Sequence, residues 1–327
     1  MRAAYYERTG PAGEVLHLSE LPDPAPAAGE VRVRVRCSGV NPSDVKSRGG
    51  LRSQVMPFPR VIPHSDGTGI VDAVGEGVDR RRIGERVWVW NAAWGRPFGT
   101  AAELCCLPQQ QAVPLPDGTA DEAGACLGIP ALTAIHAVMM DGGVAGKRVL
   151  VAGGAGAVSH YALQFASRMG AAQILTTVSS AQKAAIAREA GADATIDYRN
   201  EPVAERVREL TRGHGVDRVI ELDIAANGAL DVELLHPGGD IVAYGSSQPV
   251  NLPFFPLISK NVQVRFFMVY HLAAIDRERA TAALQRYLAR NELHHNVALT
   301  LRLDRIVEAH EAVEQGRVVG NVVLQVA

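Results

Sequence analysis

The sequence predicts an α/β protein with a mostly β-stranded first domain and a second domain built on a doubly wound parallel sheet. Residues 30–36 alternate valine with arginine, the period of two that is typical of a strand with one buried face. From residue 121 onward, short apolar strands and helical segments take turns along the chain. Such alternation is typical of βαβ units and therefore indicates a parallel sheet.

Composition limits the classes of function. The chain has 327 residues, which is enough for two domains, and its 47% hydrophobic and 21% charged residues are typical of a globular protein. A formal net charge of −2 argues against a nucleic-acid partner. No apolar run approaches the roughly 20 residues that span a bilayer, and the first residues contain no signal-peptide core. We expect a cytoplasmic protein without membrane association.

The cysteines carry no metal or disulfide signature. Cys37, Cys105, Cys106 and Cys126 form no CxxC pair, and two of them are adjacent. We therefore expect free, buried thiols and no structural zinc cluster.

The domain boundaries follow from changes in the sequence pattern along the chain. Residues 1–120 contain the valine–arginine strand, Gly- and Pro-rich turns and a further strand in 85–91. Residues 121–265 begin with an Ala- and Leu-rich helical segment and continue as alternating strands and helices. The pattern then stops, and residues 266–327 are predicted to return to the first domain.

The turn in VLVAGGAGAV (149–158) carries the first chemical signal. A strand passes through glycines into a helix, so Gly154 is predicted to permit the tight turn. Gly156 would let the backbone approach a pyrophosphate at the helix N-terminus, where free N–H groups and the helix dipole favour negative charge. Ser159 stands in place of a third glycine and is small enough for close packing of helix on strand. The predicted dinucleotide-binding residues of this turn are Gly154, Ala155, Gly156, Ala157 and Val158.

The end of the next strand distinguishes NAD from NADP(H). An NAD site usually carries an Asp or Glu about 20 residues after the glycine turn, where it binds the ribose diol. Here the strand ends in Ser179 and Ser180, and Lys183 follows. Hydroxyls can donate to a 2′-phosphate and an ammonium can pair with it, which favours NADP(H). The alternative is a serine that caps the next helix beside a solvated lysine.

Seven segments identify a resemblance that runs over nearly the whole chain. They are GVNPSDVK (39–46), PHSDGTGIVDAVGEGV (63–78), GERVWVW (84–90), LGIPALTAIHAV (127–138), KRVLVAGGAGAV (147–158), AGADATIDY (190–198) and GGDIVAYGS (238–246). The chain resembles the zeta-crystallin-like NADPH:quinone oxidoreductases, a zinc-independent branch of the medium-chain dehydrogenase/reductase superfamily. The resemblance implies a GroES-like catalytic domain split around a Rossmann domain, an active site in the cleft between them, and a homodimer.

The resemblance also bears on metal binding. Zinc-dependent members of the superfamily carry Cys, His and usually Cys where this chain has Asn41, Ser65 and Ile129. An amide, a hydroxyl and a hydrocarbon do not make the N/S site that catalytic zinc requires, so no metal is expected. His64 lies one position from the expected ligand, and we assign it to a polar wall or a structural hydrogen bond. Without a Lewis acid, the expected chemistry is hydride transfer to a quinone or an activated C=C bond.

Further site residues are implied by the resemblance. It places Asn41 at the nicotinamide and the substrate carbonyl, where its amide can donate a hydrogen bond. Asp44 and Lys46 follow on the same loop, with a catalytic role and a loop-holding salt bridge as equal alternatives, and better-known members carry a tyrosine near Lys46. Tyr270 is expected to line the site or to belong to the core. The cofactor contacts implied besides Asn41 and the glycine turn are Thr133, Ser179, Lys183, Tyr198, Gly245, Ser246, Arg317 and Asn321.

The expected function is therefore NADPH-dependent, zinc-independent reduction of a quinone, with His64 and Tyr270 as further catalytic candidates. One alternative is an enone or enal reductase with the same cofactor. The other is a non-catalytic NADPH-binding protein, since zeta-crystallin relatives serve as lens proteins and RNA binders.

Overall fold

The computed structural model describes residues 1–51 and 53–326, and the chain divides into two compact units. Unit 1 comprises Met1–Ile129 and Tyr287–Ala327, and unit 2 comprises Pro130–Arg286. The strands are β1 (Arg2–Tyr5), β2 (His17–Glu20), β3 (Glu30–Val40), β4 (Asp66–Val74), β5 (Arg86–Val89), β6 (Leu104–Pro108), β7 (Ala112–Pro114), β8 (Arg148–Val151), β9 (Gln173–Val178), β10 (Ala194–Asp197), β11 (Val216–Glu221), β12 (Leu235–Ala243), β13 (Gln263–Phe266), β14 (Val297–Arg302) and β15 (Asn321–Gln325).

The α-helices connect these strands and cover their faces. They are α1 (Ala12–Val15), α2 (Pro42–Arg48), α3 (Asp121–Gly124), α4 (Leu132–Met139), α5 (Ala157–Arg168), α6 (Ala181–Glu189), α7 (Val203–Leu210), α8 (Ile224–Leu234), α9 (Phe254–Ser259), α10 (Ala274–Ala289) and α11 (Ile306–Glu314).

Unit 1 is built on a sheet with the strand order β14-β15-β3-β4-β5-β7, in which β6 also pairs with β3. The valine–arginine alternation explains the long strand β3. Val31, Val33 and Val35 are buried in the hydrophobic core, whereas Arg34 and Arg36 are exposed on the other face. The strand predicted from the period of two is therefore confirmed.

Unit 2 is a parallel sheet with the strand order β10-β9-β8-β11-β12-β13. Helices α5 and α6 connect β8, β9 and β10, and α7 and α8 precede β11 and β12. The order changes direction between β8 and β11, which is the switch point of a doubly wound dinucleotide-binding fold. The predicted fold class is confirmed, and ligands of such sheets bind at the carboxyl ends of the strands.

The compact units end at other residues than the predicted boundaries. Helix α3 belongs to unit 1. Its first residue, Asp121, forms ion pairs with Arg36 and Arg86 of that unit, with N–O distances of 3.1 and 2.8 Å. At the other end, β13 pairs parallel with β12 through Asp240↔Gln263 and so extends the sheet of unit 2. Residues 266–286 also belong to unit 2, so unit 1 resumes at Tyr287 rather than at 266.

Two further expectations concern thiols and membranes. All four cysteines are free, and Cys37, Cys105 and Cys126 are buried as expected, whereas Cys106 is half-buried. None of the helices formed by the described residues combines the length and the apolar character that crossing a bilayer requires.

A buried ion pair in unit 2 generates the first prediction. The Arg218 side chain has no exposed surface, and its Nη2 donates to Asp240 Oδ2 at 2.9 Å while Nη1 donates to the Met140 carbonyl at 2.8 Å. We expect Arg218→Met to lower the free energy of unfolding by about 3 kcal/mol, because it leaves the Asp240 carboxylate without its main partner.

Urea unfolding measures this loss, and Arg265→Met is the matched control. Arg265 pairs with Asp141 at 2.9 Å, but both side chains are nearly half exposed, so we expect a loss of at most about 1 kcal/mol. Equal losses in the two variants would contradict a special role for the buried pair.

Candidate active site

The glycine turn after β8 follows the predicted plan with one correction. Gly153 is the residue in the left-handed region, with φ +64°, so it makes the tight turn that the sequence analysis assigned to Gly154. Gly154 is needed for a different reason, because a Cβ there would lie 2.3 Å from Thr176 Oγ1 on β9. The repeat of glycines does not itself tell which one takes the positive φ.

Helix α5 presents an uncapped N-terminus after this turn. Gly156 is the cap residue, and no side chain of the described residues caps the helix there. The first-turn N–H groups of a helix have no intrahelical acceptor, so they remain able to bind an anion. Ser159 in the same turn is buried, and its Oγ donates to the Ala152 carbonyl at 2.7 Å. The serine therefore packs helix on strand with its hydroxyl satisfied, as predicted.

The end of β9 carries a cation beside hydroxyl groups. Ser180 caps α6 by accepting a hydrogen bond from the Lys183 N–H at 3.3 Å, which confirms the capping alternative for one serine. Lys183 Nζ lies 2.9 Å from Ser179 Oγ. The residues from Ser179 to Arg188 include no carboxylate, and the helix dipole there is positive. This combination favours a bound anion.

Two other loops at the carboxyl edge contain predicted cofactor residues. The Tyr198 N–H donates to the Val178 carbonyl at 3.1 Å, which holds this half-exposed tyrosine beside the end of β9. After β12, Gly245 lies so close to the backbone that a Cβ there would be 2.1 Å from the Leu222 carbonyl oxygen. Ser246 follows and donates from its Oγ to the Gln248 carbonyl at 2.7 Å.

A cavity of about 660 Å³ opens at this edge of unit 2. Tyr244, Gly245 and Ser246 line it at the end of β12, and an aromatic run follows β13. The described lining residues from that run are Phe266, Phe267, Met268 and His271.

Tyr270 is not among these lining residues. It is buried in the turn Val269–His271, which corresponds to its alternative as a core residue. The sequence analysis selected Tyr270 and missed the preceding segment RFFM, which was visible in the sequence.

The surface of the cavity is mainly apolar, so it suits a planar, weakly polar ring.

Unit 1 contains the second cluster of predicted residues, centred on Asp66. Asp66 is fully buried, and its Oδ2 accepts hydrogen bonds from Asn41 Nδ2 at 2.9 Å and from the Ile129 N–H at 3.0 Å. The sequence analysis did not select Asp66, although its place beside Ser65 in PHSDGTG was a usable signal. The segments of Asn41, Ser65 and Ile129, which the resemblance aligned, thus meet around one carboxyl group.

Burial determines the charge of Asp66. Desolvation, followed by the nearby Asp44 carboxylate, raises the pKa of Asp66 well above its ordinary value. Its Oδ1 has no hydrogen-bond partner among the described residues, and a Cβ on Gly128 would lie 2.4 Å from it. Burial and the unpartnered Oδ1 favour the neutral form of this carboxyl group, and the Gly128 contact shows how closely the backbone packs against it.

The loop residues Asp44 and Lys46 have separate surroundings. Asp44 is buried, and its Oδ2 accepts a hydrogen bond from the Asn41 N–H at 2.9 Å, so it closes the first turn of α2. Lys46 is exposed on that helix. The hydrogen bond that holds this loop therefore joins Asp44 to the Asn41 backbone.

His64 lies inside unit 1 with both ring nitrogens engaged. Its Nδ1 is 2.8 Å from Ser38 Oγ, and its Nε2 is 2.9 Å from His310 Nε2. Burial lowers the pKa of His64 to about 3, so the ring is neutral. Its φ of +76° is unusual for a residue with a side chain. These contacts correspond to the structural hydrogen bond that the sequence analysis offered for His64.

The remaining predicted cofactor residues are on other elements of the two units. Thr133 is buried on α4 of unit 2. Arg317 is exposed in unit 1, and Asn321 starts β15 with its Nδ2 donating to the Asn296 carbonyl at 3.1 Å. Asn321 thus joins two segments of unit 1.

The comparisons with known proteins agree with this architecture. The family model described as "alcohol dehydrogenase GroES-like domain" matches residues 27–117, and the one described as "zinc-binding dehydrogenase" matches residues 157–288. A quinone oxidoreductase of Pseudomonas aeruginosa is 35% identical over 237 residues, which cover 72% of this chain and 70% of the relative.

Two solved structures cover the whole chain and are themselves wholly covered. An NAD-dependent alcohol dehydrogenase has a TM-score of 0.92 at 30% identity. A quinone oxidoreductase of Escherichia coli, complexed with NADPH, has a TM-score of 0.88 at 25% identity.

The zinc named in one family description does not suit the residues around Asp66. The Asn41 amide donates its Nδ2 hydrogen to Asp66, Ile129 offers a backbone N–H, and Ser65 offers a hydroxyl. Both nitrogens that contact Asp66 Oδ2 point a hydrogen atom at it. Neither nitrogen therefore offers a lone pair to a metal ion there. The donor set therefore does not fit a zinc site of Cys and His ligands.

The protonation of Asp66 generates a prediction about pH. A carboxyl group whose pKa is higher in the folded than in the unfolded state contributes stability that is full below the unfolded value of 3.8 and is lost as pH rises toward the folded value. Asp66→Asn substitutes a neutral group of the same shape, so the variant should lack this loss.

Urea unfolding from about pH 5 to pH 9 measures the difference between wild type and Asp66→Asn. We expect the variant to gain stability relative to wild type as pH rises, while Asp66→Ala is less stable than either because it leaves two buried donors without an acceptor. A constant difference between wild type and Asp66→Asn would mean that Asp66 is ionised throughout.

Proposed function

This chain belongs to the quinone oxidoreductases of the medium-chain dehydrogenase/reductase superfamily, and on that premise we propose that it reduces a quinone with NADPH. The observation that carries the proposal is the pairing of Lys183 with Ser179 at the end of β9, where no carboxylate lies between Ser179 and Arg188. An NAD site usually carries an acid for the ribose diol at this place, whereas hydroxyl donors and a cation suit a 2′-phosphate.

The residues of unit 2 fit a phosphorylated dinucleotide. The uncapped first turn of α5 is proposed to bind the pyrophosphate, and Gly156 is proposed to let the backbone approach it. Lys183 and Ser179 are proposed to bind the 2′-phosphate. When bound, NADPH supplies the hydride.

The chain's own residues orient and shelter the reacting groups in this proposal. The mainly apolar cavity beside Gly245 and Ser246 is proposed to accept a flat ring. The Asn41 amide has two hydrogens on Nδ2, and only one is used by Asp66, so the other can donate to a carbonyl oxygen of the substrate. We propose that this donor works without zinc, which is supported by the donor set around Asp66.

A panel of acceptors tests the proposed activity. The nicotinamide absorbance of NADPH is followed with a benzoquinone, phenanthrenequinone and an alkenal, and NADP⁺ is offered an alcohol. We expect oxidation of NADPH by the quinones. Faster turnover of the alkenal would favour a C=C reductase, no turnover would favour a binding protein, and alcohol oxidation abolished by chelators would contradict the zinc-independent reading.

Cofactor choice gives a sharper prediction for Lys183. Lys183→Glu should raise the KM for NADPH at least about tenfold, because a carboxylate repels the 2′-phosphate, and should change the KM for NADH by less than about twofold. Arg188→Glu makes the same change of charge on the same helix and should alter neither value. Equal effects on both cofactors in Lys183→Glu would remove Lys183 from this role.

We further propose a cytoplasmic homodimer that binds no nucleic acid. Four free thiols are consistent with a reducing compartment, and a net charge of −2 does not suit nucleic acid. The edge strand β13 leaves backbone groups unpaired, and the adjoining Phe254, Phe255 and Phe266 are 66%, 79% and 61% exposed. A second copy that pairs along β13 would cover them.

Sedimentation equilibrium tests the dimer. Phe255→Glu should shift the protein from dimer to monomer, because a carboxylate would be buried in the interface. Ile83→Glu alters an exposed apolar residue of unit 1 and should leave the mass unchanged. A dimer that persists in Phe255→Glu would contradict this choice of surface.

A further inference from the structure

Three metal-ligating side chains lie together at the amino ends of β11 and β12, on the opposite edge of the sheet from the glycine turn. His214 precedes β11, Asp217 is its second residue, and His236 is the second residue of β12. One ligand atom of each side chain lies within 4.8 Å of the others. The proposed function uses none of these residues.

The backbone explains why the three meet. Gly215 has φ +83°, and a Cβ on it would lie 2.7 Å from the Leu234 carbonyl oxygen, so only glycine lets the loop approach β12 so closely. The strands then change register, from Val216↔Leu235 to Arg218↔Asp240. An advance of two residues along β11 thus corresponds to an advance of five along β12. The extra residues after Leu235 bring His236 beside the loop that contains His214.

Each ligand has a lone pair available. His214 Nδ1 is 3.2 Å from the Gly215 carbonyl, which can only accept, so Nδ1 carries the hydrogen and Nε2 keeps its lone pair. Asp217 is oriented by the Arg148 N–H, which donates to its Oδ2 at 2.7 Å. Among the described residues, the His236 ring has no hydrogen-bond partner, and it stacks on the His214 ring with the centroids 4.3 Å apart.

The chemistry of this set selects the ion. Two imidazoles and a carboxylate are ligands of Zn²⁺, Ni²⁺ and Cu²⁺ rather than of Mg²⁺ or Ca²⁺, which prefer oxygen. In a tetrahedral site with bonds of about 2.0–2.1 Å, ligand atoms are about 3.4 Å apart. Ligand atoms now up to 4.8 Å apart must therefore move closer together when the ion binds, and all three side chains are only half-buried.

We propose that His214, Asp217 and His236 bind a divalent transition-metal ion of the zinc type at the amino edge of unit 2. Three protein ligands leave a fourth position for water. The ion joins the loop before β11 to the start of β12, so it stabilises this edge of the sheet. This proposal does not depend on the proposed reductase activity.

Isothermal titration calorimetry with ZnCl₂ tests the site on tag-free, full-length protein dialysed against EDTA and then against metal-free buffer. We expect one Zn²⁺ per chain, no heat with MgCl₂, and affinity at least about tenfold weaker in His214→Gln and in His236→Gln. His17→Gln, which alters an exposed histidine of unit 1, is the matched control and should bind as wild type does.

Thermal unfolding provides a second readout. Zn²⁺ should raise the melting temperature of wild type and His17→Gln but not of the double variant His214→Gln/His236→Gln, because an ion that binds only the folded state stabilises it. Circular dichroism confirms that each variant is folded. Absence of stoichiometric binding in wild type, or unchanged affinity in both single variants, would overturn the site, and NADPH turnover measured in parallel reports separately on the reductase.

Discussion

The buried carboxyl group of Asp66 is the interaction on which the proposed substrate side of unit 1 depends. It accepts hydrogen bonds from Asn41, 25 residues before it, and from Ile129, 63 residues after it. Leaving such buried donors unpaired costs about 1–3 kcal/mol each, so the carboxyl group fixes both segments. It also fixes the Asn41 amide with its nitrogen toward Asp66, which sets where the remaining N–H can point.

In unit 2 the corresponding constraint is the parallel sheet itself. Parallel strands put all their following loops on one edge, so the glycine turn, Lys183 and Gly245 share that edge although they are far apart in sequence. The amino edge holds the His214 cluster instead. Strand β11 has six residues, which span about 20 Å at about 3.3 Å each. An ion at the amino edge is therefore too distant to touch chemistry at the carboxyl edge, so its effects on stability and on turnover are separable.

Local patterns predicted the parts that depend on local backbone. The alternation around Val33 predicted a half-buried strand, and Lys183 could be noted because its distance from the glycine turn is a property of one βαβ unit. Contacts between distant segments could not be predicted in this way. His64 meets His310 across 246 residues, and Asp66 meets Ile129, because tertiary packing and not periodicity brings them together. The end of unit 2 at Arg286 could not be predicted for the same reason, since tertiary packing and not periodicity places residues 266–286 in that unit.

The protonation states in unit 1 bear on the direction of hydride flow. Oxidising an alcohol requires a group that removes the hydroxyl proton. His64 is neutral, but both of its ring nitrogens are engaged with Ser38 and His310, and burial raises the pKa of Asp66 well above its ordinary value, which favours the protonated form of that carboxyl group. Neither is suited to act as that base. Reducing a quinone instead requires a hydrogen-bond donor at a carbonyl oxygen, which the second N–H of Asn41 can supply. The residues around Asp66 therefore favour delivery of hydride to an acceptor over its removal from an alcohol.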